Sequence, residues 1–186
     1  MKTIKIEKPK YAWKVLLKGM KSEQGDVKWR KGKWNKVEGK IKTCKNGLHA
    51  SKLAADAIKF VTPGIICKIE YKGDISEDKN KFACSEMRVI ETYKFTKRMG
   101  VEFSIYCAKQ CLKNFEKYNS DDKRPRNAIK AAKKWLTYPT TKNKDAARLA
   151  YSAAKSAAYS AERSSAYLAI NKKLNTKLLK ILGAKK

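Results

Sequence analysis

Histidine occurs once in 186 residues, proline four times, and only seven of the 45 basic residues are arginine. A single histidine, His49, excludes most multi-histidine metal centres and most acid-base designs that need two imidazoles. Scarce arginine removes much of the planar, bidentate reading of guanine, so the 38 lysines suit backbone phosphate more than base edges. Acidic residues are also few, 17 against 45, which leaves a net charge of +28. No apolar run approaches the roughly 18 residues of a membrane span, and the opening segment MKTIKIEKPK has no apolar signal core. A cytoplasmic protein without membrane contact is expected. The five cysteines are odd in number and widely spaced, which fits reduced thiols.

The basic charge is not spread evenly. Residues 1–52 carry 16 Lys/Arg against 4 Asp/Glu, residues 97–186 carry 22 against 6, and residues 53–96 carry 7 of each. Genome-wide lysine bias would raise all three segments, whereas a basic surface built from both ends fits a polyanionic partner, RNA or DNA or a nucleic-acid-bound host complex. With 42% hydrophobic residues the chain can bury a real core, and its length suits one ordinary domain or two small ones.

Strand-like segments fill the first half: Thr3–Ile6, Tyr11–Leu17, Gly39–Thr43, Ile65–Tyr71 and Arg88–Phe95, rich in β-branched and aromatic residues. Ser51 is placed to cap a helix running to about Val61, and Lys72-Gly73-Asp74 reads as a turn. From about Gly100 the period becomes helical. Val101, Ile105, Ala108, Leu112 and Phe115 share one face, and a second helix follows Ser120-Asp121-Asp122 with Ile129, Ala132 and Trp135 inward. An alanine-rich helix is expected from Asp145, and a last one carries Leu174, Leu178, Ile181 and Leu182 and ends at Gly183. The expected fold class is α+β, with a small mixed or antiparallel sheet and one helix in the N-terminal half. It is packed against a C-terminal bundle of about four helices, as domains 1–98 and 99–186.

Two stretches resemble known families. The order Trp29, Trp34, Cys44, Gly47-Leu48-His49 within residues 11–96 resembles an uncharacterised domain common in phage and prophage proteins. Residues 105–170, with Asp121-Asp122-Lys123-Arg124-Pro125-Arg126, resemble an all-helical family of immunity proteins. The pair implies a phage or mobile-element origin, and neither resemblance brings catalytic residues or a cofactor.

The block Lys28-Trp29-Arg30-Lys31-Gly32-Lys33-Trp34-Asn35-Lys36 interleaves rings with cations, as a stacking and phosphate-binding loop would. The same tryptophans could instead pack into the core. Arg124 and Arg126 either bind phosphate at a helix start or pair with Asp121 and Asp122. Arg148 and Lys155 extend the candidate surface along the alanine-rich helix. His49 with Ser51, between a strand and a helix, resembles slightly the nicotinamide-ribose contact of ADP-ribosyltransferases, which would enlist Tyr71 and Glu91. Cys44, His49, Cys107 and Cys111 could form a Cys3His zinc site, but small core thiols explain the helical pair better and no metal is expected. The function expected first is a non-enzymatic nucleic-acid-binding accessory protein acting against a host defence nuclease, in the manner of a CRISPR inhibitor. The alternatives are an ADP-ribosyltransferase-like enzyme using His49 and an immunity protein that binds an acidic toxin surface.

Overall fold

The computed structural model describes residues 9–25, 27–60, 64–140 and 167–184. The chain divides into two compact units, 1–95 and 96–186. The expected strand Thr3–Ile6 and the alanine-rich helix, with Arg148 and Lys155, lie outside the described residues.

The first unit is built on one long antiparallel hairpin. Strands β4 (Ile65–Glu77) and β5 (Phe82–Lys94) are 13 residues each, closed by a turn in which the Asp78 N–H donates to the Lys81 carbonyl at 2.8 Å. Strand β1 (Lys10–Leu16) pairs antiparallel with β4. The other edge of β5 is shared end to end: β2 (Trp34–Lys36) lies against Glu86–Arg88, and β3 (Leu48–Ala50) against Phe82–Cys84. One short helix, α1 (Ala54–Phe60), completes the described part. Alternation sends Ala12, Leu16, Leu48, Ala50, Cys67, Ile69, Phe82, Cys84, Met87 and Val89 into one core, joined by Trp29 from a loop.

Three expectations are corrected here. Lys72-Gly73-Asp74 does not turn the chain; it is a bulge inside β4, between Lys72 and Ile75 in the register. Gly73 takes φ +78°, and the Ser85 hydroxyl accepts the Asp74 N–H at 2.9 Å, so the irregularity is held by a side chain and the strand continues. Residues 39–43 form a loop, not a strand, because Thr43 hydrogen-bonds Ser76 through both its backbone N–H and its hydroxyl while Lys42 closes a tight turn on Asn46. Ser51 does not cap α1, which begins three residues later; the Ser51 N–H and carbonyl both bond to Trp13, at 2.9 and 2.8 Å.

The second unit is helical. α2 (Lys97–Tyr118) starts where the Thr96 hydroxyl accepts the Met99 N–H at 3.3 Å. α3 (Arg124–Thr137) has Pro125 in its first turn. Val101 and Ile105 of α2 pack with Ile129, Ala132 and Trp135 of α3, the faces expected from the spacing. α4 (Tyr167–Leu182) buries Leu174 and Leu178, and its Lys177 donates to Glu102 of α2 at 2.8 Å. The architecture is α+β, a five-stranded antiparallel sheet with four helices among the described residues. No helix among the described residues is long and apolar enough to cross a membrane.

Gly47 leads into β3 at a close approach to its neighbours. Its φ is +128°, and a Cβ there would lie 2.9 Å from the Ala83 Cβ and 3.1 Å from the Ile41 Cγ2. Gly47→Ala is therefore expected to lower the unfolding free energy by about 2 kcal/mol, read by urea denaturation of the full chain.

Candidate functional site

The residues nominated from sequence separate into three environments. Trp29 is buried, 2% exposed, with its indole N–H on the Ser22 hydroxyl at 2.9 Å, so it cannot stack on a base and the nomination is corrected. The Trp34 ring is half-buried and already engaged by Lys72 and Arg88, which lie 4.7 and 4.8 Å from its centroid. Those cations are in turn held by carboxylates, Lys72 by Glu86 and Arg88 by Glu70 at 2.6 Å. Lys36 joins Glu86 at 3.3 Å. Trp34 thus anchors β2 to the hairpin.

Arg124 and Arg126 are also taken. Arg124 grips Asp122 with its Nε and Nη2 at 2.7 to 3.0 Å, and Arg126 makes a two-pronged pair with Glu116 at 2.8 and 2.9 Å. The hydrogen bonds from Arg124 hold the Asp122 carboxyl down, at about 2. These arginines tie the α2–α3 connection together.

Lys28, Arg30, Lys31 and Lys33 differ from both groups: they are exposed, and none has a carboxylate partner among the described residues. They belong to the segment between β1 and β3, residues 17–47, which has ten Lys/Arg against three Asp/Glu. The β4–β5 hairpin, residues 64–95, has six of each.

Beside these loops lies a cleft of about 610 Å³ whose lining includes Lys14, Trp13, Cys44, Lys45, His49 and Lys81. Alternation along β1 turns Lys14 to the same side as Ala12 and Leu16. Its ammonium donates to the His49 carbonyl at 2.8 Å and lies 5.0 Å from the Trp29 ring centroid. Burial pushes Lys14 down to about 8, opposed only by the thiols of Cys67 and Cys84. His49 Nε2 accepts the Cys44 N–H at 2.9 Å, fixing a residue with φ +64°. Burial, then Lys14 and Lys81, lower the His49 pKa, while a hydrogen bond with the Gly47 backbone pulls the other way. Lys81 donates to Cys44 Sγ at 2.9 Å.

This arrangement corrects the enzymatic nomination of His49. Its Nε2 lone pair is committed to the loop, and its opposite residue on β5 is Ala83, eight residues from Glu91 and so about 26 Å away along the strand. Glu91 is hydrogen-bonded to the Tyr93 hydroxyl instead, and the Tyr71 ring packs on Phe82. Ser51 is buried with its backbone paired. Among the described residues no group of three or more His, Cys, Asp or Glu side chains is placed to hold a metal ion. The sequence reading gave neither Lys14 nor Lys81 a functional role. A lysine inside Tyr-Ala-Trp-Lys-Val-Leu-Leu was the available signal for the first, and nothing local marked the second.

Residues 10–100 match the family model of a domain of unknown function, DUF7666. Residues 91–171 match that of the Imm-5 like putative immunity protein. The two stretches that carried resemblances in the sequence, 11–96 and 105–170, fall inside these matches. No curated protein and no solved structure matches the chain.

The thiols should differ sharply in reactivity. Cys67 and Cys84 are buried and pushed up to about 12, burial also raises Cys111, and Cys107 is buried, whereas Cys44 is exposed. An anionic aromatic disulfide is expected to titrate one fast thiol in the native protein. Cys44→Ser should abolish that phase, and Lys81→Met should slow it several-fold by removing the cation that attracts the reagent.

Lys14 also predicts a pH dependence. Between pH 8 and 10.5 the unfolded chain retains a proton that the native lysine has released, so this group makes the fold more stable as pH rises, and its penalty is complete below pH 8. Cys67 and Cys84 act in the opposite sense above pH 9, because only the unfolded chain ionises them there. Comparison with Lys14→Met isolates the lysine: from pH 7 to 10 the wild type should gain about 2 kcal/mol on the variant in denaturant unfolding.

Proposed function

We propose that the chain is a non-enzymatic nucleic-acid-binding protein that tracks the phosphate backbone of RNA or DNA with the irregular loops of its first unit. The observation that carries this reading is the contrast between Lys28, Arg30, Lys31 and Lys33, exposed without carboxylate partners among the described residues, and Lys36, Arg124 and Arg126, each bonded to an acid. An ion pair already formed must be broken before its cation can serve a phosphate, whereas an uncompensated lysine only exchanges condensed counterions. On this reading the biological task is to occupy RNA or DNA, or the nucleic-acid channel of a host defence nuclease. A second reading, an immunity protein whose partner is an acidic toxin surface, is favoured by the match of residues 91–171 to the Imm-5 like family.

Salt-dependent binding of a labelled oligonucleotide to the full chain separates the two. Binding of wild type should weaken with salt along a log-log slope of several units. The variant Lys28→Gln/Arg30→Gln/Lys31→Gln/Lys33→Gln should flatten that slope by about three units on all sequences alike. Arg124→Gln/Arg126→Gln should leave it nearly unchanged. Absence of a salt-dependent interaction with RNA and DNA would overturn the proposal and leave the immunity reading.

A further inference from the structure

Lys14 is an unusual residue to turn toward a sheet core. A buried ammonium costs several kcal/mol unless it is paired, yet no carboxylate among the described residues contacts it, and its one hydrogen bond, to the His49 carbonyl, uses one of three donors. The ammonium lines the cleft, so its remaining donors need not stay unmatched. Lys45 and Lys81 line the same cleft, with Glu23 the one acidic residue there. Lys14 and Lys81 both act on His49, which lies between them in the chain of contacts from the Lys14 ammonium through His49 and Cys44 to Lys81.

A compact dianion with several acceptor oxygens answers this arrangement better than a carboxylate, which carries one charge for three lysines. The volume, about 610 Å³, exceeds what a bare phosphate needs and falls within the range of small-ligand sites. Val27 and Leu48, which pack with the core on the side of β1 to which Lys14 turns, supply an apolar stretch of wall for an organic group. We propose that the cleft of the first unit binds a small phosphomonoester, its phosphate held by Lys14 and Lys81 and its organic part set against Val27 and Leu48. Lys28, Arg30, Lys31 and Lys33 are not in its lining, so the site does not rest on the backbone-tracking reading. A monoester reaches it either as a free nucleotide or as the terminal phosphate of a strand.

Thermal unfolding and phosphorus NMR of the full chain, titrated with inorganic phosphate or adenosine monophosphate at constant ionic strength, test the proposal. Both probes should raise Tm and broaden or shift the phosphorus signal, and adenosine should do neither. Lys14→Met should still fold, with ligand-free Tm at pH 7 equal to or above wild type, and should bind at least tenfold more weakly. Lys81→Met should weaken binding in the same direction, which keeps the test decisive if the Lys14 variant does not fold. The Lys28/Arg30/Lys31/Lys33→Gln variant should retain the phosphate response, so failure of the loop reading and failure of this one are separable. Tighter binding of a 5′-phosphorylated than a 5′-hydroxyl oligonucleotide, lost in Lys14→Met, would assign the strand end. Equal binding of the two strands with a retained adenosine monophosphate response would assign the free ester. No response of wild type to millimolar phosphate and adenosine monophosphate, or a response unchanged in both lysine variants, would overturn the site.

Discussion

The antiparallel ladder between β4 and β5 is the interaction on which the first unit depends. β1 is placed by β4, and β2 and β3 are both placed by β5, so one register sets the position of all three. The Gly73 bulge keeps that ladder continuous where a turn would have cut it short. The hairpin turn at Asp78–Lys81 then delivers Lys81 to Cys44, 37 residues away in the chain, while the pairing of His49 with Ala83 brings the other half of the cluster to the same end of the sheet. The cleft is a consequence of where a long hairpin ends.

Charge is arranged around the same hairpin. Seventeen carboxylates cannot serve 45 cations, and the hairpin holds six of them, of which Glu70, Glu86 and Glu91 pair with its own Arg88, Lys72 and Lys68. Glu86 takes Lys36 and Lys72, and Glu70 takes Arg88. Partly exposed pairs of this kind add little stability singly, but they remove those cations from the pool available to an outside anion. The surplus falls on the segment between β1 and β3, residues 17–47, where acids are few. Solvent screens repulsion among the loop lysines; a folded sheet would screen it less.

Lys14 runs against that economy. A methionine of similar shape would fill the space without the desolvation penalty, and the lysine instead keeps unspent donors at a cleft wall. Local choices that oppose stability concentrate where a chain binds something. His49 has a different part: neutral, hydrogen-bonded and lowered in pKa, it fixes the Cys44 loop and its carbonyl receives the lysine.

The sequence alone determined the packing faces of α2 and α3, because amphipathic spacing is local: Val101 and Ile105 against Ile129, Ala132 and Trp135 could be read from a 3.6-residue period, as could the Pro125 start. It also determined the α+β class, most of β1 and the inner parts of β4 and β5, where β-branched runs carry the signal. Residues 39–43 misled it, since Ile41 and Thr43 have strand propensity while Thr43 spends its hydrogen bonds on Ser76, 33 residues away. Tertiary structure alone decided which cations are engaged and which face outward, because an ion pair such as Arg126 with Glu116 joins residues whose separation no composition reveals. It alone decided that Trp29 is core and Trp34 a clamp, since burial is a property of what packs around a ring and not of the ring. For the same reason Lys14, Cys44, His49 and Lys81 became one cluster only once the hairpin register had brought them together.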